Sequence, residues 1–459
     1  MHDPESCLPP LCPLADDAGA FGDHFDLKGA TGTKDSTMTP AARIQAAIEI
    51  LDGLEKTAQP ADRYVRDWFR ARRYAGVKDR AAVKERVYDV LRHRASFAWR
   101  VGGQARSLVL ASLLHEGQSP EAIEALFSGA NYAPALLFDA ERHGLGSPPR
   151  EEPPAHVTGE YPQWLEGELQ RAFGAELPEE MQAMLARAPV DVRVNRLRAK
   201  REAMLVGLSS LGITAQPMTY APDGIRIASA EGLSRLEHTQ FFQTGAFEFQ
   251  DEASQIAAHL CGAKPGDRVL DLAAGAGGKA LALAAIMGNQ GEILAFDIDA
   301  ARLREVRPRA RRAGASIIAS TSKKGGAAWG DGKFDIVLVD APCSGSGTWR
   351  RNPELKWRLT PERLKELTGL QAGLLDDGAR HTKSGGRLIY ATCSLLPCEN
   401  EDQMAAFLGR NPDFRVVRAA ALWRELGLSQ TPPGMGEYFR ASPLKCATDG
   451  FFVCIMTPI

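Results

Sequence analysis

From Met38 to about Gly146 the apolar positions recur with a helical period. In "MTPAARIQAAIEILDGLEK" the residues Ile44, Ala47, Ile48 and Leu51 fall on one face, behind a Thr39 cap and with Pro40 in the first turn. The pattern continues through "AAVKERVYDVLRHRASFAWRV", "ARSLVLASLLHEG", "SPEAIEALFSG" and "APALLFDAERHG", broken only by short Gly and Ser-Pro interruptions. Residues 38–146 are therefore expected to form a compact helical bundle. The stretch "GSPPREEPPAHVTGEYP" holds five prolines and makes 147–162 a linker. Over 163–246 helical segments mix with short strands, "VDVRVN" and "GIRIA", which predicts a small α/β module. From 247 to 459 the rhythm becomes strand–helix alternation: "RVLDLAA", "EILAFDID", "ASIIAS", "FDIVLVDAP" and "GGRLIYATCS". Such alternation specifies a parallel sheet with right-handed crossovers. The fold class is thus multidomain, α followed by α/β. Residues 1–37, rich in Gly, Pro, Asp and Ser without periodicity, are expected to be a disordered tail, with Met38 a candidate for the native start.

Composition narrows the class. Hydrophobic residues make up 44% and charged residues 24% of 459, ordinary values for a globular protein. No apolar run reaches the roughly 18 residues of a membrane span, and the first residues lack the basic start and apolar centre of a signal peptide. A cytoplasmic protein with no membrane contact is expected. The eight cysteines are scattered without a C-x-x-C pair, so neither a disulfide framework nor a metal site is expected.

The net charge of −2 hides an uneven distribution. Between Pro60 and Arg106 thirteen Lys/Arg stand against five Asp/Glu, and "RLREVRPRARRAGA" and "WRRNPELKWRLTPERLK" add two further basic clusters, the second carrying Trp349 and Trp357. Basic helices interleaved with aromatics suit a nucleic acid with a phosphate backbone to pair and exposed bases to stack on.

"DRVLDLAAGAGGKALALAA" is a strand, a glycine-rich turn and a helix. Gly275, Gly277 and Gly278 let the backbone approach a ligand, and the helix starting near Lys279 points its N-terminus at it. Asp297 ends the next strand 22 positions after Gly275, the place of a ribose-binding acid in several nucleotide-binding folds. Asp271, just before the glycines, would repel a pyrophosphate, whereas S-adenosylmethionine offers an ammonium and a sulfonium.

Two cysteines end two strands, Cys343 in "FDIVLVDAPCSGSG" and Cys393 in "RLIYATCSLLPCENE". Carbon 5 of cytosine is inert until a nucleophile adds to carbon 6, and a thiolate both attacks and leaves readily. An acid must support ring nitrogen N3, a role open to Asp340, and a base must remove the carbon 5 proton. One cysteine as nucleophile and another assisting release would account for two thiols at the crevice of an α/β sheet.

"FEFQDEASQIAA", "DLAAGAGGK", "DAPCSGSG", "RLIYATCSLLPCENE" and "TDGFF" resemble, in order, the motifs of the Fmu/Sun (RsmB-type) family of bacterial ribosomal RNA cytosine-5 methyltransferases. The helical region 38–146 is similar to the NusB-like RNA-binding domain that precedes the catalytic part in that family. The resemblance implies a C-terminal Rossmann-like domain that binds S-adenosylmethionine and methylates cytosine carbon 5 in small-subunit ribosomal RNA, without an obligate protein partner. It implies Cys393 as nucleophile, Cys343 assisting release, and Asp340 facing the base. Ala273, Ala274, Gly275, Ala276, Gly277, Gly278, Lys279, Asp297, Arg302 and Asp340 would line the cofactor, Lys279 near its carboxylate, with Asp251 and Gln255 shaping the site.

The chain departs from the family at Ala273–Ala276, where Cys-Ala-Ala-Pro is usual, and at "SPLKCATDGFF", which lacks a histidine. On the third strand "ASIIASTSKKGG" replaces an aspartate, a charge-assisted contact worth ~1.5–3 kcal/mol, with Ser320, Thr321 or Ser322 as substitutes. A transfer RNA cytosine-5 methyltransferase, or an RNA-binding assembly factor with a vestigial catalytic half, are the alternative readings. DNA cytosine-5 enzymes resemble the chain at Pro-Cys but not at Thr-Cys.

Overall fold

The computed structural model describes residues 38–146, 151–228, 236–325, 329, 332–428 and 430–459; the expected tail at 1–37 lies outside them. Helices run over Pro40–Glu55, Ala61–Arg70, Val77–Arg92, Arg94–Val101, Ala105–His115, Pro120–Leu126 and Asp139–Gly146. Thr39 caps the first through its side chain, which accepts from the Ala42 N–H, and Ile44, Ala47, Ile48 and Leu51 are buried as the period predicts. They join Trp68, Phe69, Val87, Leu108 and Val109 in one core.

The proline-rich stretch, described from Glu151, is docked rather than loose. It makes a helical turn at Ala155–Thr158, and Tyr161 is 2% exposed. Buried Glu160 accepts from the N–H groups of Ala95 (2.7 Å) and Ser96 (3.1 Å), satisfying donors that the start of helix Arg94–Val101 leaves open. Proline content reports the absence of regular structure, not the absence of packing.

The small module holds four strands, β1 (Val190–Val194), β2 (Ala215–Pro217), β3 (Gly224–Ile227) and β4 (Phe247–Phe249), in the antiparallel order β2-β3-β1-β4. β4 lies past 246, where the module was expected to end. The alternation of "FEF" explains it: Phe247 and Phe249 pack on this sheet, while Glu248 between them pairs with Arg309 (2.8 Å) and Arg312 (2.6 Å) of the following domain.

The large sheet comprises β5 (Arg268–Asp271), β6 (Glu292–Phe296), β7 (Ile318–Thr321), β8 (Phe334–Asp340), β9 (Thr382–Thr392), β10 (Phe414–Val417), β11 (Phe439–Ala441) and β12 (Phe451–Pro458). Its order is β10-β12-β9-β8-β5-β6-β7, with β11 also on β12. β5 to β9 pair in parallel and β12 runs antiparallel to β9. Val337–Val339 and Leu388–Ala391 are wholly buried, as expected of parallel strands covered on both faces. The strand order reverses between β5 and β8, which opens a crevice at the carboxyl ends of β5, β6, β8 and β9.

Of the two basic clusters expected to face RNA, one is largely consumed by the fold and the other in part. In helix Glu354–Arg358 the Trp357 Nε1–H donates to the Leu91 carbonyl at 2.7 Å, and Arg358 donates to the carbonyls of Gln59 (2.9 Å) and Leu54 (3.1 Å). The Ala61 N–H in turn donates to Glu354 at 3.1 Å. This helix fastens the large-sheet domain to the helical one. Trp349 is 1% exposed. In the other cluster Arg309 and Arg312 serve Glu248, leaving Arg304, Arg307 and Arg311 exposed.

Candidate active site

β5 ends in Asp271, and the chain turns through Gly275 (φ 54°) and Gly277 (φ 80°) into helix Gly278–Ile286. Both glycines occupy left-handed backbone that a side chain would strain. A Cβ on Gly275 would also stand 2.4 Å from the Arg302 guanidinium, so the loop is bare because Arg302 lies across it. The Asp297 carboxylate at the end of β6 accepts from the Gly275 N–H (2.7 Å) and the Asp299 N–H (2.7 Å). Ala273 to Lys279, Asp297 and Arg302 thus meet in one corner of the crevice. Thr321, at the end of the third strand, accepts from the Lys323 N–H at 3.1 Å, so its hydroxyl braces its own turn; Ser320 and Ser322 are exposed.

Asp271 is the unusual group. It is fully buried, and although the Ala280 N–H faces it, neither oxygen accepts a well-formed hydrogen bond. Burial, reinforced by the charge of Asp340, pushes its carboxyl up to about 7. A buried acceptor pair with no donor is costly unless a ligand supplies one. The ammonium and sulfonium of S-adenosylmethionine are donor and charge of the required sign, so Asp271, the glycine loop, Asp297 and Arg302 form a donor set that fits that cofactor.

The second half of the site is built on β8 and β9. Asp340 lies opposite Ala391 in their register, so the loops that follow rise side by side. They bring Cys343 Sγ within 3.4 Å of Cys393 Sγ. The hydrogen bond to Cys393 raises the Cys343 thiol well above its ordinary range, helped by burial and by the charges of Cys393 and Glu399. Lys279 was expected near the cofactor carboxylate. Its ammonium is 2.6 Å from Asp340 Oδ2 and 4.9 Å from the Phe451 ring centroid. Burial pulls its pKa down, but Asp340 and Asp271 outweigh that, so Lys279 holds its proton more firmly than usual.

Asp251 and Gln255 sit one layer behind. Asp251 caps helix Glu252–Leu260 and pairs with Arg351 at 3.0 Å; Asp449 pairs with Arg350 (2.7 Å) and Arg351 (2.5 Å). The "QDEASQ", "TWRR" and "TDGFF" segments are thereby locked together. Burial and the nearby Asp251 push the Asp449 carboxyl up to about 6, against the pull of Arg351 and Arg350.

Sequence reasoning gave no role to Glu399, Asn400, Ser344, Ser346, Ser394 or Gln371. They form a buried polar network beneath the two thiols: Ser344 and Ser394 both donate to Glu399, Ser346 accepts from the Leu395 N–H (2.8 Å), and Asn400 accepts from Thr392 (2.6 Å). The available signal was a hydroxyl residue after each strand-end cysteine and an acid six positions beyond the second.

A family profile described as "16S rRNA methyltransferase RsmB/F" matches residues 258–457, and a "Methyltr_RsmF/B-like, ferredoxin-like domain" matches 161–233. The probable ribosomal RNA small subunit methyltransferase B of Bacillus subtilis is 30% identical over 334 residues, 71% of this chain and 73% of that protein. This chain is a member of the RsmB/F methyltransferase family. Ribosomal RNA small subunit methyltransferase B of Citrobacter koseri is 36% identical, over 56% of this chain and 60% of its own length, so that match spans less than two thirds of the relative. The crystal structure of PH0851 superposes with a TM-score of 0.73 at 26% identity, covering 92% of this chain and all of that one. The cofactor of this RsmB/F family member is S-adenosylmethionine, in keeping with the donor set around Asp271. No helix among the described residues is long and apolar enough to cross a membrane.

Proposed function

We propose that this protein methylates carbon 5 of a cytosine in RNA, with small-subunit ribosomal RNA as substrate, through a covalent adduct to Cys393. The observation that carries the reading is the pair of thiols 3.4 Å apart beside a Lys279–Asp340 ion pair. Cys393, next to the Lys279 cation, adds as thiolate to carbon 6. Negative charge then grows toward N3, where Asp340, bridged to the Lys279 ammonium, supports a proton or hydrogen bond. S-adenosylmethionine supplies the electrophilic methyl group. Cys343, its own proton passed to solvent, takes the carbon 5 proton as a thiolate, and the Cys393–carbon 6 bond breaks, its electron pair returning to Cys393, to restore the ring.

The electrostatics favour that order. The largest influence holding the proton on Cys343 is Cys393 itself. Once Cys393 is tied up as a thioether that influence is gone, so Cys343 gives up its own proton more readily and stands as the thiolate that can accept one only after the adduct has formed. RNA would be carried by the exposed cations Arg63, Arg66, Arg70 and Arg73, with affinity falling as salt rises, and the target base would leave its stack to reach the crevice.

The test is Cys343→Ala. With RNA and S-adenosylmethionine it should accumulate a protein–RNA band on a denaturing gel that Cys393→Ala abolishes, and no band with any RNA would overturn the reading. Bisulfite sequencing of RNA from cells with and without the gene then locates the cytosine. Loss of protection in a transfer RNA instead would keep the chemistry and change the substrate.

A further inference from the structure

Glu399 is 0% exposed, and among the described residues no Lys, Arg or His lies within ion-pair distance of it. Its partners are all neutral donors. One oxygen accepts from the Ser344 N–H (2.8 Å) and from Gln371 Nε2 (2.9 Å); the other accepts from the hydroxyls of Ser344 (2.5 Å) and Ser394 (2.5 Å). Ser344 follows Cys343 and Ser394 follows Cys393, so one carboxylate fastens both cysteine loops. Gln371 donates to the Pro342 carbonyl as well, at 2.9 Å, which ties the other side of Cys343 to the same point.

A buried carboxylate without a cation is a poor device for stability. A glutamine could satisfy every one of these contacts: its carbonyl would accept from the Ser344 N–H and Gln371, and its amide would donate to the two hydroxyls once they rotate. The charge therefore needs another explanation, and the surroundings of the two sulfurs supply one. The Glu399 charge, one residue from each cysteine through Ser344 and Ser394, helps hold the proton on Cys343. The Lys279 cation, 2.6 Å from Asp340, interacts electrostatically with Cys393.

We propose that Glu399 is the positioning residue that holds the two cysteine loops in register and keeps the two thiols chemically unequal, Cys393 the nucleophile and Cys343 the proton carrier. This rests on the roles assigned to the cysteines above, but its test needs neither RNA nor turnover. The whole protein is treated with iodoacetamide at neutral pH, and alkylation of Cys343 and Cys393 is followed separately by mass spectrometry. Because the thiolate is the reacting form, Cys393 should react faster by about tenfold or more in the wild type. In Glu399→Gln the gap should narrow by about tenfold, through faster reaction of Cys343, with the melting temperature unchanged. An unchanged ratio in a folded Glu399→Gln protein overturns the proposal. Equal reactivity of the two thiols in the wild type overturns it too, whether or not the variant folds. A preserved Cys393 preference alongside failure of the RNA adduct would leave this proposal standing and remove the cytosine reading alone.

Discussion

Replacing Gly347 with alanine puts one methyl group into the tightest backbone crossing of the site. The Gly347 N–H donates to the Cys393 carbonyl at 2.9 Å, and its own carbonyl accepts from the Gly450 N–H at 2.8 Å. A Cβ there would stand 2.2 Å from the Gly450 carbonyl oxygen and 2.7 Å from its Cα. Both are backbone atoms, so no side chain can swing away. Restoring ordinary contact at 3.4 Å requires one backbone segment to retreat by about 1 Å, and overpacking of this kind costs about 1–3 kcal/mol. The segment that moves carries either Cys343 or the "TDGFF" strand start, against a sulfur pair only 3.4 Å apart. A misplacement of about 1 Å costs about a hundredfold in rate, or about 2.7 kcal/mol of barrier. The assay is single-turnover transfer of labelled methyl from S-adenosylmethionine into small-subunit RNA, with cofactor affinity measured alongside by calorimetry. The rate should fall about a hundredfold, while cofactor affinity holds, because Gly347 lies outside the Ala273–Lys279 corner. A single-turnover rate within about threefold of wild type (under 1 kcal/mol) would refute the claim that this crossing sets the geometry of the thiols.

Two other perturbations address the cofactor corner and the domain junction. The folded-state pKa of Asp271 lies above its unfolded value, so its contribution to stability is fully present below about 4 and lost as pH rises through about 7. The loss is of order 4 kcal/mol for this fully buried group; Asp271→Asn should flatten the melting temperature of the cofactor-free protein across that window, and a profile identical to wild type would show that Asp271 does not titrate there. Trp357→Ala removes the indole donor to Leu91 and leaves that carbonyl short of a partner, at about 1–3 kcal/mol. Amide hydrogen exchange at the end of helix Val77–Arg92 should quicken while the large sheet stays protected, and unchanged exchange would mean that the junction is held elsewhere.

What could be read from the sequence follows from how local each signal is. The strands carrying Val337–Val339 and Leu388–Ala391 were legible as parallel because strand and helix alternate along the chain, and strand ends in a parallel sheet share one edge. The meeting of Cys343 with Cys393 was expected because both end strands of that sheet and the chemistry calls for two thiols. Charge was not legible. Arg351 finds Asp251 and Asp449, and Arg358 finds the carbonyls of Gln59 and Leu54, across about a hundred to three hundred residues of chain, so a count of cations could not separate an RNA surface from internal fastening. Glu399 was hidden for a related reason: its importance lies in being a carboxylate with no cation, which no window of sequence displays. These misses share a location. From Cys343 the chain passes through Ser344 on Glu399, Gly347 on Cys393 and Gly450, Arg350 and Arg351 on Asp449, and Glu354, Trp357 and Arg358 on the helical domain, within sixteen consecutive residues. The anchors tie that segment in turn to the Cys393–Glu399 stretch, to Asp449–Gly450 and to the helical domain. The loop that holds the second thiol is thus continuous, over sixteen residues of chain, with the junction to the helical domain.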